Sequence, residues 1–146
     1  MSAVSEIMSP KKLVWIGIES SPSALDATKV MIKNKVGAVV VAKSDKPVGI
    51  VTERDILKKV AASSKPAKDV AVKDIMSSPL VTIKAIDSIE TAAAVMTKNK
   101  IKRLVVLEQD GSCAGVLSIT DIARKLAKIL ANDYSRYSHL EALLDL

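Results

Sequence analysis

The sequence predicts an α+β fold built from two tandem β-α-β-β-α repeats, and three observations carry that expectation. Set against itself at an offset of 65, the chain pairs residues 30–41 with residues 95–106, and seven of these twelve positions are identical. The hydrophobic pattern changes period in the same order in each half: a short apolar run, a helical spacing, then two further apolar runs. A Gly-apolar-apolar-Ser/Thr-x-x-Asp element then recurs, as Gly49-Ile50-Val51-Thr52-Glu53-Arg54-Asp55 and Gly115-Val116-Leu117-Ser118-Ile119-Thr120-Asp121.

Each element has a local reason. Residues 14–18 and 80–83 are short apolar stretches, read as first strands. In the second repeat Ile89, Ala92, Ala93 and Met96 fall at the i, i+3, i+4, i+7 spacing of one helical face, with Ser88 placed to cap it; Ala24, Ala27, Thr28 and Met31 follow Ser23 in the same way. Residues 36–42 and 101–107 are too continuously apolar for half-exposed strands, so they are expected at the centre of small sheets, covered on both faces. Ser44-Asp45-Lys46-Pro47 and Gln109-Asp110-Gly111-Ser112 are turn chemistry leading into third strands at 48–51 and 114–117. A helix closes each repeat. Residues 61–73 read as the linker, Ile7-Met8-Ser9-Pro10 echoes Ile75-Met76-Ser77-Ser78-Pro79, and the expected divisions are 1–66, 67–133 and a helical tail over 134–146.

Composition bounds the function classes. Of 146 residues, 49% are hydrophobic and 26% charged, which suits a folded chain with its own core and argues against disorder. With aromatics at 2% and no Phe, the core must come from Val, Ile, Leu, Ala and Met, and base stacking on aromatic rings is disfavoured as a route to nucleic acid. One cysteine, Cys113, and one histidine, His139, cannot assemble a familiar zinc cluster or an internal disulfide, so no metal is expected. No segment approaches a membrane span or a leader, which points to a cytoplasmic protein without membrane partners. The net charge of +6 fits anionic partners such as nucleotides, nucleic acid or acidic proteins, and equally a Lys-rich solvated surface.

The two Ser/Thr-x-x-Asp turns carry the most chemical information. One reading is a capping box at the start of a helix, worth about 1 kcal/mol and common in unrelated proteins. The other is a binding turn: free backbone N–H groups and the helix dipole suit a phosphate, hydroxyls add donors, and an acceptor-only carboxylate takes the vicinal hydroxyls of a ribose. Lys100, Lys102 and Arg103 open the middle strand of the second repeat where the first has Lys35, Gly37 and Ala38. They read either as a solvated strand end or as a division of labour, with cations for phosphate in one half and small residues admitting a planar base in the other. Gly49 and Gly115 read as turn or bulge glycines, Trp15 as a core or interface residue, and His139 as a surface residue. No nucleophile, base and orienter set, GxGxxG motif or P-loop is present, so no catalytic residue is assigned.

The duplicated "VGAVVV"/"KRLVVL" strands and "GIVTERDI"/"GVLSITDI" elements resemble CBS domain pairs over nearly the whole chain. The resemblance implies two βαββα units related by a pseudo-twofold axis, mixed small sheets packed with helices, ligand clefts between the repeats, and homodimers of such pairs. It implies ribose contacts for Asp55 and Asp121, phosphate contacts for Thr52, Arg54, Ser118, Thr120, Lys102 and Arg103, and base or cleft-lining positions for Gly17, Gly37, Ala38 and Thr82. One cleft would join Gly17, Gly37 and Ala38 to the second Asp turn, the other Thr82, Lys102 and Arg103 to the first. The family's first-strand Thr is Thr82 in the second repeat and is matched here to Gly17 in the first. The expected ligand is AMP, ADP or ATP, no cofactor is required, and the output passes to an unidentified protein partner or the chain's own oligomer. The alternatives are a basic nucleic-acid-binding protein and a scaffold or S-adenosylmethionine-binding module. The apolar tail after Tyr134 and Tyr137 reads as a contact surface or as a helix packed on its own domain.

Overall fold

The computed structural model describes residues 3–8, 14–134, 136 and 138–143. Helix α1 (Val4–Ile7) precedes strand β1 (Trp15–Gly17), helix α2 (Ala24–Asn34), strands β2 (Ala38–Lys43) and β3 (Lys46–Thr52) and the short α3 (Glu53–Asp55). From α3 the chain continues as a π-helical segment, Ile56–Val60, and a 3₁₀ turn, Ala61–Ser63. Helix α4 (Val72–Ile75) leads to β4 (Thr82–Lys84), α5 (Ile89–Asn99), β5 (Arg103–Leu107), β6 (Cys113–Ser118), α6 (Ile119–Asp133) and α7 (Leu140–Leu143). Each repeat thus contains the expected strand, helix, two strands and helix. Ser9, Pro10, Tyr137 and residues 144–146, which entered the opening echo and the tail reading, lie outside the described residues.

Both sheets have the same wiring. The orders are β1-β2-β3 and β4-β5-β6, with the first pair of each parallel and the second antiparallel, so the most apolar strand is central in both. Side chains alternate between faces along β2: Val39 and Val41 join one core, while Val40, pointing the other way, is also fully buried. Leu104 and Val106 repeat this in β5, with Val105 opposite. Helices α2 and α5 begin at Ser23 and Ser88, whose hydroxyls accept the Asp26 and Thr91 amides at 3.1 Å each, and end at Lys35 and Lys100 in the left-handed region. Ala24, Ala27 and Met31 are buried on one; on the other Ala92 and Met96 are buried, whereas Ala93, expected on that face, is exposed.

The compact units do not follow the sequence repeats. One unit is residues 12–80; the other joins residues 81–146 to residues 1–11. Val4 and Ile7 of α1 sit in the core of Ile83, Leu104, Val106 and Leu117, and the Val4 and Ser5 amides donate to the Asp87 and Ala85 carbonyls at 2.8 and 3.0 Å. Val72 and Ile75 of α4, the equivalent helix, sit in the core of Val39, Val41 and Val51. Each repeat's opening helix therefore completes the core containing the other repeat's sheet.

This exchange explains both recurrent glycines. A Cβ on Gly49 would lie 2.6 Å from Met76 Sδ, and one on Gly115, at φ +149°, would lie 2.5 Å from Met8 Cε. The Ile-Met echo of the opening helices and the glycine echo of the third strands are two sides of one contact. Gly115 also sits beside the register shift at Val106/Leu107, and Gly49 beside that at Val41/Ala42, so the bulge expectation holds as well.

Of the two readings of Trp15, the core one is excluded: it is 41% exposed, outside the core. Cys113 opens β6 half-buried, and burial pushes its thiol pKa up. We expect slower alkylation of Cys113 at pH 8 than of a free thiol, with the difference lost in denaturant; equal rates in both would refute the burial. No helix among the described residues is long and apolar enough to cross a membrane.

Candidate ligand-binding turns

The two Ser/Thr-x-x-Asp turns have nearly the same geometry. Thr52 is extended at φ −117°, ψ 166°, and Ser118 at φ −115°, ψ 161°, each ending a third strand and capping the next helix. Thr52 pairs with Ala38 and Ser118 with Arg103 across the sheet, which fixes the turn against the start of the middle strand. The Glu53 amide donates to the Gly37 carbonyl at 3.1 Å and the Ile119 amide to the Lys102 carbonyl at 3.0 Å. The sheet therefore gathers Gly37 and Ala38 with Thr52, Arg54 and Asp55 in one unit, and Lys102 and Arg103 with Ser118, Thr120 and Asp121 in the other.

Asp55 and Asp121 are the buried charged residues among those described, 9% and 5% exposed. Both complete capping boxes. Asp55 Oδ2 accepts from the Thr52 amide at 2.8 Å and its hydroxyl at 3.1 Å, while the Asp55 amide donates to Thr52 Oγ1 at 3.3 Å. Asp121 Oδ2 accepts from the Ser118 amide at 2.9 Å and its own amide donates to Ser118 Oγ at 3.2 Å. The other oxygen of each carboxylate meets a cation: Lys59 Nζ at 3.2 Å from Asp55, and Arg124 Nη1 at 3.2 Å from Asp121.

Capping and ligand binding compete for these atoms only in part. An ionised carboxylate has about four acceptor sites, of which the bonds just given occupy three on Asp55 and two on Asp121. By this count two acceptor sites remain on Asp121, and one on Asp55 while Lys59 stays in place. The phosphate expectation is narrowed as well. Two first-turn amides of each helix, Glu53 and Asp55, Ile119 and Asp121, are already bonded within the protein, which leaves an anion here the intervening Arg54 and Thr120 amides and the side chains of Arg54, Ser118, Thr120, Lys102 and Arg103.

Strand register corrects one correspondence. Thr82 pairs with Val105 and Trp15 with Val40, and Val40 and Val105 are equivalent in the duplication. The counterpart of Thr82 is therefore Trp15, and that of Gly17 is Lys84. Gly17 pairs with Ala42, four residues along β2 from the Ala38–Thr52 pair, about 13 Å at strand rise. It lies at the hairpin end, where Trp15, Gly17, Glu19, Ala42, Ser44 and Asp45 line a depression of about 360 Å³. There Glu19 accepts the Ser44 amide at 2.6 Å, which, with Lys43 nearby, holds its carboxyl below the usual range. The structure places Gly17 with this depression and apart from the Thr52 turn.

Sequence reasoning missed Lys59 and Arg124, although cations three or four residues after an Asp on a helix are the ordinary signal for such pairs. Among the described residues no group of His, Cys, Asp or Glu side chains is arranged to hold a metal.

Comparison with known proteins bears on the whole chain. A Methanopyrus kandleri protein is 32% identical over 108 residues, 72% of this chain and 55% of that protein. The Arabidopsis thaliana mitochondrial CBS domain-containing protein CBSX3 is 33% identical over 115 residues, 75% of this chain and 55% of its own length. The chain thus spans about half the length of these relatives. Among solved structures, a putative signal-transduction protein with CBS domains from Burkholderia ambifaria superposes with a TM-score of 0.77 at 28% identity, over 86% of this chain and 93% of that one. A hexameric CBS-CP12 protein from bloom-forming cyanobacteria gives 0.75 at 25% identity, covering 99% and 98%. The CBS domain family matches twice, over residues 4–62 and 72–128, in register with the two repeats; the chain belongs to the CBS domain family, as a tandem pair of a general regulatory module.

Proposed function

We propose that this chain is a regulatory module, without catalytic activity of its own, that binds an adenine nucleotide (AMP, ADP or ATP) at its Ser/Thr-x-x-Asp turns. Occupancy passes to a protein partner or to the chain's own oligomer in the cytoplasm. The observation that carries this reading is the duplicated buried carboxylate: Asp55 and Asp121 are each oriented by a cap and a cation, with acceptor capacity left for ribose hydroxyls. Lys102 and Arg103 beside one turn supply the charge a phosphate needs, while Gly37 and Ala38 beside the other leave space for a flat base. Apolar side chains exposed on α6, Ile119, Leu126 and Ile129, and Ile32 and Leu57 in the other unit, favour self-pairing into a homodimer.

The test is a thermal-shift panel of AMP, ADP, ATP, S-adenosylmethionine and NAD on the full chain, Asp55→Ala and Asp121→Ala. At ligand about 100 times Kd, linkage contributes about 2.7 kcal/mol and raises Tm by about 3–5 °C. We expect a shift with an adenine nucleotide that Asp121→Ala removes, beyond the loss of about 1 kcal/mol from the broken cap. A shift confined to S-adenosylmethionine would reassign the ligand. No shift with any compound, together with nucleic-acid binding that falls steeply with salt and survives both substitutions, would replace the nucleotide reading.

A further inference from the structure

Lys59 lies one turn beyond Asp55, and its ammonium has two acceptors: Asp55 Oδ1 at 3.2 Å and the Ile75 carbonyl at 2.9 Å. That carbonyl ends α4. Immediately beyond it, Met76 packs on Gly49, and Ser77 exchanges two hydrogen bonds with Ile50, at 2.9 and 3.3 Å. One cation thus ties the carboxylate of the first turn to residues 72–77, the segment that leads into β4. The second repeat is built differently. By sequence the counterpart of Lys59 is Lys125, yet the cation on Asp121 is Arg124, three residues along the same helix. The wider π turn at Ile56–Val60, replaced by regular α-helix in α6, accompanies the change of partner.

We propose that Lys59 is a positioning residue that couples the state of the Asp55 carboxylate to the docking of residues 72–77. This deepens the nucleotide reading above, on which its ligand-dependent part rests. With three of about four acceptor sites occupied, Asp55 can take both hydroxyls of a ribose only by releasing a protein donor, and Lys59 is the donor on Oδ1, the oxygen that the Thr52 cap does not use. The ammonium at the Ile75 carbonyl then loses its counter-charge, and the segment it holds loosens. A ligand shifts an equilibrium only through a difference in its contacts with the two states, and the Lys59 contact is that difference. Asp121, with two sites occupied by protein, accepts a diol with Arg124 still in place, so the device belongs to one repeat.

The experiment is amide hydrogen exchange at Met76 and Ser77 in the full chain, Asp55→Asn, Lys59→Met and the double variant. Without ligand, each single substitution is expected to speed exchange there about three- to tenfold, with the double variant no faster than Lys59→Met and the β5 amides unmoved. An effect of Asp55→Asn that is the same with and without Lys59 would overturn the coupling. Saturating AMP is then expected to speed exchange at Met76 and Ser77 in the unmodified chain and to leave it unchanged in Lys59→Met. AMP held at the Asp55 turn, shown by an affinity that Asp55→Asn lowers, with no change at Met76 and Ser77 would also overturn it. An AMP affinity indifferent to Asp55→Asn removes the nucleotide reading at that turn, while the ligand-free comparison still decides the coupling.

Discussion

Replacing Ile7 with alanine is expected to destabilise the unit containing residues 81–143, and replacing Ile75 to destabilise residues 14–80, in each case the unit built on the other repeat's sheet. The reason is the exchange of opening helices. Ile7, 8% exposed, completes the core around Leu104 and Leu117, and Ile75, 2% exposed, completes the core around Val39 and Val51. Truncating a buried isoleucine to alanine loses its transfer free energy and leaves a cavity, at a cost of about 2–5 kcal/mol. Ile75 should stand toward the upper end, because it is the more deeply buried. Amide exchange reads the location: Ile7→Ala should lower protection at Leu104 and Val106 more than at Val39 and Val51, and Ile75→Ala the reverse. Loss confined to each residue's own sequence repeat would refute the exchange.

The second large effect is expected at Gly49→Val. A Cβ there would lie 2.6 Å from Met76 Sδ, 3.0 Å from Met76 Cγ and 3.2 Å from the Ser77 carbonyl oxygen. A methionine side chain can swing aside; the backbone oxygen cannot without breaking the Ile50–Ser77 hydrogen bonds. Overpacking of this kind costs about 1–3 kcal/mol, and the two extra methyl groups of valine place this substitution at the top of that range. Met76→Ala in the same chain should recover part of the loss and leave the part due to Ser77, a nonadditivity that urea midpoints of the four proteins would measure. Gly115→Val makes the contrast. Its Cβ meets only the end of Met8, but at φ +149° the backbone itself disfavours a side chain, so Met8→Ala should recover little. Full recovery at Gly49, or strong recovery at Gly115, would contradict the contacts described.

What the sequence made legible was local. The Ser23 and Ser88 caps, the Ala and Met faces of α2 and α5, and the continuous apolar runs of β2 and β5 each express a physical demand within a few residues, and the family's repeated pattern is made of these. The Thr52–Asp55 and Ser118–Asp121 turns were legible for the same reason, since a capping box and a carboxylate site use the same spacing. Long-range pairings were not legible. Nothing in Ile7-Met8 or Ile75-Met76 says which sheet they complete, because either core presents an apolar surface of similar shape. The match of Gly17 to Thr82 failed because the first repeat carries extra residues between β1 and α2, so the offset that aligns the helices does not align the first strands, and only the pairing of Trp15 with Val40 fixes the register. Whether Trp15 belonged to the core or to an interface stayed open for a related reason: an aromatic in a three-residue strand points inward or outward according to that register, and here it points out of the core.

The exchanged helices also impose an order on synthesis. The unit of residues 12–80 is continuous in sequence and can close as soon as those residues have emerged, whereas the other needs residues 1–11 and 81–146 together. At about 5–20 residues per second, the first helix waits several seconds on the ribosome, with Val4 and Ile7 unburied, before β5 and β6 exist to receive it. Its closure then brings together residues far apart in the chain, a slow, high-contact-order step, after the first unit's shorter-range pairings are in place. The chain should therefore fold from its middle outward, and the nascent species at risk of aggregation is the one that has finished its first sheet and still carries a helix meant for its second.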